Sequence, residues 1–232
     1  CRCRFAVMNP ELTYTLPDYQ TQCGCTDIMM HTMERYFNMS ENMELTDGIS
    51  EALIKTVMKH SKILKEHPDC YESRAEVMWA SSLSHNDLTG CGTDGGDWAC
   101  HQLEHEIGGM FDVAHGAGLA AVWGSWARYV YKARPERFAK FARNIFNIQE
   151  TDDEKAAVAG IEAMENYYQS VGMPTSLCEL GIHATEEQIK EMADKCSFYG
   201  KRTVGVMKKI GAPEAAEIYR MANDKSIPLY SR

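Results

Sequence analysis

The chain has 232 residues, 44% of them hydrophobic and 25% charged, with 33 acidic against 24 basic side chains and a formal charge of −9. That length suits one large domain or two small ones, and it supports a hydrophobic core without a disulfide or metal staple. The acidic balance argues against a nucleic-acid or anionic-membrane surface, which needs a basic patch. The longest apolar stretch, residues 116–123, is under half the ~20 residues of a membrane span.

Cys1-Arg2-Cys3-Arg4 opens the chain with neither Met nor a signal-like start, and residues 4–9 read as a short strand that Asn9-Pro10 ends. A chain that starts in mid-strand is expected to lack an N-terminal part. Nine cysteines form an odd count without a regular framework. They read as reduced thiols of a cytoplasmic protein. The C-x-C pairs Cys1/Cys3 and Cys23/Cys25 lack the C-x-x-C spacing of a zinc knuckle. From about Pro17 the pattern is helical, over 19–38, 47–66, 71–85, 97–109, 115–131, 135–147, 201–210 and 213–223. Ala157, Ile161, Met164, Tyr168 and Val171 mark a further helix. Thr151-Asp152-Asp153-Glu154 offers it a capping box, and Gly172 and Pro174 stop it. Thr185-Glu186-Glu187-Gln188 opens another helix in the same way. The glycine-rich run 90–96 lacks phosphate-loop spacing and reads as a flexible link into the helix at Asp97-Trp98. These elements predict an all-α helical bundle with a short N-terminal strand.

Polar residues interrupt two of the apolar helix faces. Asp27 and His31 are one turn apart, as are His101 and His105, and His115 follows a break at Gly108-Gly109. Gly116 and Gly118 after it permit a close backbone approach. One Asp and three His form a ligand set for a divalent transition metal, since imidazole suits zinc, iron, nickel and copper. Taken singly, the Asp27/His31 pair reads more often as a surface hydrogen-bond pair than as ligands, and His101/His105 alone is also a weak metal signal. His60, His67, His85 and His183 have no spaced partner and read as ordinary residues. Residues 101–105 also match H-x-x-E-H, the inverted zinc-protease pattern. In that hydrolase reading Glu104 is the general base, and Glu162 or Glu165 is available as a third ligand. Asp27, His31 and His115 then stay unexplained. Trp98, Phe111 and Trp123 are candidates for an apolar substrate pocket and equally for core.

Residues 9–17, Gly24 to Glu34, Gly96 to Glu106 and Asp112 to Gly118, taken together, resemble the iron-containing (group III) alcohol dehydrogenases. The similarity is greatest to their NAD(P)H-dependent butanol dehydrogenase branch and runs from about Arg4 to Asn223. Asn9 and Gln22 depart from common members of that family. The resemblance implies that Asp27, His31, His101 and His115 bind the metal, Fe(II) with Zn(II) as the alternative. It places His105 beside the nicotinamide of NAD(P)(H) and the substrate, in a proton relay. The implied reaction interconverts short primary alcohols and aldehydes. Residues 1–17 are then a linker and strand remnant of a missing nucleotide-binding domain, and 18–232 the helical metal-binding catalytic domain. Without a pyrophosphate-binding loop the chain is expected to fold but not to turn over alcohol unaided. The surface facing the missing domain is expected to be exposed and able to drive homodimer contacts.

Overall fold

Residues 116–127 are small or apolar on nearly every side, and a helix without a polar stripe belongs in a core. In the computed structural model of the chain, which describes residues 3–224, helix α5 (His115–Val130) takes that place, with every residue from 116 to 127 buried. Around it lie α1 (Asp18–Tyr36), α2 (Glu44–Glu66), α3 (Tyr71–His85), α4 (Ala99–Phe111), α6 (Pro135–Phe146), α7 (Asp153–Ser170), α8 (Glu186–Cys196) and α9 (Ala212–Asn223). Helix α5 packs on α1, α4, α7 and α9. Pairs α1–α2, α2–α3, α6–α7 and α8–α9 wrap the outside. No sheet occurs among the described residues, and the architecture is the expected helical bundle. No described helix is long and apolar enough to cross a membrane.

Close packing of α5 on α1 depends on glycine. A Cβ at Gly116 would run into the Cys23 carbonyl and come within 2.7 Å of its Cα. Further along, Trp123 and Trp126 are fully buried, and Phe37 stacks on Phe138 with centroids 4.4 Å apart. Each such side chain contributes ~1.5–3 kcal/mol by leaving water. A buried fork ties α6 to α2: Arg137 donates to both Asp47 oxygens at 2.5 and 2.6 Å, with its Nε on the Tyr36 carbonyl at 2.7 Å.

Several local readings shift. Helix α7 is capped by Asp152, which accepts from the Lys155 N–H at 2.9 Å, so the cap stands one residue after Thr151. The Thr185/Gln188 capping box forms as expected. Residues 4–9 form no strand. A lone extended segment has no neighbour to complete its ladder, and none of the described residues pairs with it. Residues 201–210 are not helical either. Gly205 adopts φ +83°, Val204 and Ile210 pair as an isolated antiparallel bridge, and the Val206 and Met207 N–H groups donate to Asp97 Oδ2 at 2.8 Å each. A buried carboxylate has captured donors that a helix would need. The 90–96 run is more than a link. Gly96, at φ +87°, lies so close to α1 that a Cβ would strike the Glu34 carbonyl. The eight described cysteines are unpaired thiols, and Cys1 lies outside the described residues.

Candidate metal centre

Asp27, His31 and Glu34 are spaced i, i+4 and i+7 on α1, so one face carries all three. Opposite this face, α4 begins at a strained corner. Trp98 sits at φ +59°, an uncommon conformation for a large residue. Asp97 holds the corner, accepting from Ala99 N at 3.2 Å besides the two loop donors. Glu34 holds it from α1: its carbonyl accepts the Asp97 N–H at 2.8 Å and its Oε1 accepts the His101 N–H at 2.9 Å. A carboxylate at a helix N-terminus is favoured by the helix dipole and by the unpaired N–H groups there.

This framework aims three imidazoles at one oxygen. Asp27 Oδ1 lies 3.6 Å from His31 Nε2, 3.5 Å from His101 Nε2 and 3.5 Å from His115 Nε2. Each outer nitrogen of the last two is committed. His101 Nδ1 donates to Glu34 Oε1 at 3.1 Å, and His115 Nδ1 makes a short hydrogen bond to Glu104 Oε2. In a neutral ring, a carboxylate that accepts the Nδ1–H leaves Nε2 as a lone pair facing inward. Asp27 Oδ1 and His101 Nε2 are buried and have no hydrogen-bond partner. Buried acceptors that face one another without a proton between them are costly, and a cation among them removes the cost. The donor set, one carboxylate oxygen and imidazole nitrogens, suits a divalent transition metal.

The electrostatics agree. Burial opposes ionisation of Asp27, but the imidazoles of His101, His115 and His31 around it outweigh burial and hold the carboxyl well below its usual range. The Asp27 and Glu104 contacts push His115 up to about 10. Burial pushes His31 down to about 4. His101 is raised, because its bonds to Asp27 and Glu34 exceed the effect of burial. Burial, with the Glu34 charge nearby, lifts Asp97 to about 7.

Among the remaining expected residues, His105 stands one turn beyond His101, its ring stacked beside His115 with centroids 5.7 Å apart. Partial desolvation lowers its pKa. Trp98 flanks the cluster, its ring 5.4 Å from His31 and 5.3 Å from His101, pinned by Nε1 to the Gly95 carbonyl at 2.6 Å. Trp123 is fully buried in the core, and Phe111 is partly buried against it. Two parts of the hydrolase reading are engaged elsewhere: Glu104 is buried and hydrogen-bonded to His115, and Glu165 is paired with Arg128. His85 adds what sequence reading missed. Its Nε2 lies 3.6 Å from Asp27 Oδ2, and its ligand atom falls within 4.8 Å of those of Asp27 and His31. No spacing signals it, because the last turn of α3 reaches the site only through tertiary packing. Glu34 was legible from its i+7 position.

Known proteins bear on this arrangement. The family of Fe-containing alcohol dehydrogenases, C-terminal, matches residues 21–222. The NADH-dependent butanol dehydrogenase A of Clostridium acetobutylicum is 36% identical over 221 residues, 94% of this chain and 56% of that protein. The NADPH-dependent aldehyde reductase YqhD of Escherichia coli is 32% identical over 219 residues, again 94% and 56%. The crystal structure of NADH-dependent butanol dehydrogenase A from Thermotoga maritima superposes with a TM-score of 0.87 at 36% identity, covering 93% of this chain and 55% of that one. The chain thus spans about half the length of the relatives it matches. With its all-helical fold and a match running through nearly every helix, the chain belongs to the iron-containing alcohol dehydrogenase family, of which it carries the C-terminal domain.

Proposed function

We propose that the chain is the metal-binding half of an NAD(P)(H)-dependent alcohol dehydrogenase that interconverts short primary alcohols and aldehydes. The observation that carries the reading is the convergence of three imidazole Nε2 atoms on the partnerless Asp27 Oδ1. The butanol dehydrogenase and aldehyde reductase relatives support the substrate class.

When bound, a divalent cation supplies a Lewis acid that eases deprotonation of an alcohol and polarises an aldehyde carbonyl, and a nicotinamide supplies or takes the hydride. The chain's residues do the rest. Asp27, His31, His101 and His115 hold the cation, and Glu34 and Glu104 keep the His101 and His115 lone pairs turned inward. The site opens on the side of His115, whose side chain is 42% exposed, while His101 at 6% closes the rear. Trp98 flanks His31 and His101 with an apolar ring. His105, neutral because its pKa is lowered, accepts the substrate hydroxyl proton at an imidazole nitrogen and passes it to solvent. Exposed Phe5, Val7 and Leu12 support a segment that leads toward a second, nucleotide-binding body.

The chain alone is expected to give no nicotinamide-linked turnover, since a loosely held cofactor forfeits the effective-molarity advantage. Joined to the nucleotide-binding half of a butanol dehydrogenase and loaded with Fe(II), it is expected to oxidise NAD(P)H on addition of butanal. In that protein His105→Ala should keep its metal and lose about 10²–10⁴-fold in turnover. Bound metal with no aldehyde-dependent absorbance change would contradict the reading.

A further inference from the structure

His85 ends α3 and faces the same carboxylate as the three site histidines, from the other side. Its ring lies over that of His31, centroids 4.0 Å apart and tilted by 39°, and its Nε2 is 3.6 Å from Asp27 Oδ2. The outer edge of the ring fixes which nitrogen carries the proton. Nδ1 is 3.0 Å from the Ser81 carbonyl and 2.7 Å from Ser84 Oγ, and Ser84 Oγ itself lies 3.0 Å from that carbonyl. A carbonyl oxygen only accepts, so a single arrangement satisfies all three contacts: Ser84 donates to Ser81, and His85 Nδ1–H donates to the pair. In the neutral ring His85 Nε2 is then a lone pair. Asp27 Oδ2 also only accepts, so two acceptors face each other across 3.6 Å with no hydrogen between them.

This is the pattern of His101 and His115, where a bond at Nδ1 turns the Nε2 lone pair toward Asp27. The placement of His85 is also braced. Arg35, four residues after His31 on α1, donates to the Ser84 carbonyl at 2.6 Å, to the His31 carbonyl at 3.1 Å and to Asp87 at 2.9 Å. One guanidinium thus holds the end of α3 against the α1 turn that carries His31. A surface histidine with no task has no need of that bracing.

We propose that His85 is a further ligand of the divalent cation held by Asp27, His31, His101 and His115, donating through Nε2 from the Oδ2 side of Asp27. Its side chain is 40% exposed, close to that of His115 at 42%, so it is accessible to exchange with an incoming oxygen ligand. The proposal rests on the metal-centre reading, and its test separates the two.

Co(II) is the probe, because its visible d–d bands change in position and intensity with the number and kind of its ligands. The chain is titrated with Co(II) alongside His85→Ala, His85→Gln and the remote control His60→Ala, with far-ultraviolet circular dichroism to verify folding. His85→Ala is expected to shift the bands and to weaken Co(II) binding by at least about tenfold. Free imidazole is expected to restore the wild-type spectrum in His85→Ala. His60→Ala should match wild type. Identical bands and affinity in wild type, His85→Ala and His85→Gln would overturn the role of His85 and leave the four-residue centre standing. Absence of any Co(II) bands in folded wild type would remove the metal centre itself.

Discussion

Gly118 has no side chain, yet it decides where another one points. A Cβ there would lie 2.6 Å from Glu104 Oε1 and 2.8 Å from Glu104 Cγ, so the glycine makes the cradle that lets Glu104 reach His115. Gly118→Ala should therefore displace Glu104, free the His115 ring and weaken divalent-metal affinity by about 10–100-fold. Gly109→Ala, with open space around its Cβ on the same helix as Glu104, should leave affinity unchanged. Competition with a chromophoric chelator measures both. The same carboxylates set a proton linkage. His115 is pushed up to about 10 by Asp27 and Glu104, so in the metal-free chain it is protonated at pH 7. A metal displaces that proton. Affinity should rise with pH until His115 deprotonates unaided near 10, and calorimetry in buffers of different ionisation enthalpy should report about one proton released near pH 7. Uptake independent of buffer would show that His115 gives up no proton. The resemblance drawn from Asp27, His31, His101 and His115 needed no coordinates, since two i,i+4 pairs and a glycine break carry it. His85 did not show itself, because its approach depends on Arg35 bridging helices 49 residues apart in sequence.

The α4 N-terminus is the element on which the site turns, and Asp97 organises it. It accepts from Ala99, Val206 and Met207 and so joins the start of α4 to the loop before α9. The periodicity of 201–210 predicts a helix there because local pattern cannot register a buried acceptor about a hundred residues upstream. The Thr151 cap missed by one residue for a smaller reason: Asp152 offers the same chemistry one position later and takes the Lys155 N–H. Asp97→Ala should strand three N–H groups at about 1–3 kcal/mol each, read as a lower urea midpoint. Asp97 is raised to about 7 by burial and the Glu34 charge. A carboxyl raised on folding binds more protons in the native than in the unfolded chain between about 4 and 7. Its stabilising contribution is therefore present below about 4 and is lost as pH rises through 7. The stability of wild type relative to Asp97→Asn should fall over that window. A difference independent of pH would contradict the shift.

At the scale of the whole molecule, fold and site were legible to different depths. Hydrophobic period and glycine breaks gave the helices, because α5 is apolar over 116–127 and its neighbours are amphipathic. The 4–9 strand failed because a strand needs a partner that local sequence does not supply. The buried network around the proposed centre, Glu34, Glu104 and the Asp97 corner, is tertiary, and it explains how the His101 and His115 rings are held with Nε2 toward Asp27. The chain matches about half the length of its relatives, and the half it carries brings every proposed cation donor onto α1, α3, α4 and α5. The most direct measurement is metal content per chain after reconstitution with Fe(II) or Zn(II), for wild type, His101→Ala and His115→Ala. One ion per wild-type chain and a large loss in both variants are expected, with circular dichroism unchanged. Equal, stoichiometric metal in all three would contradict it.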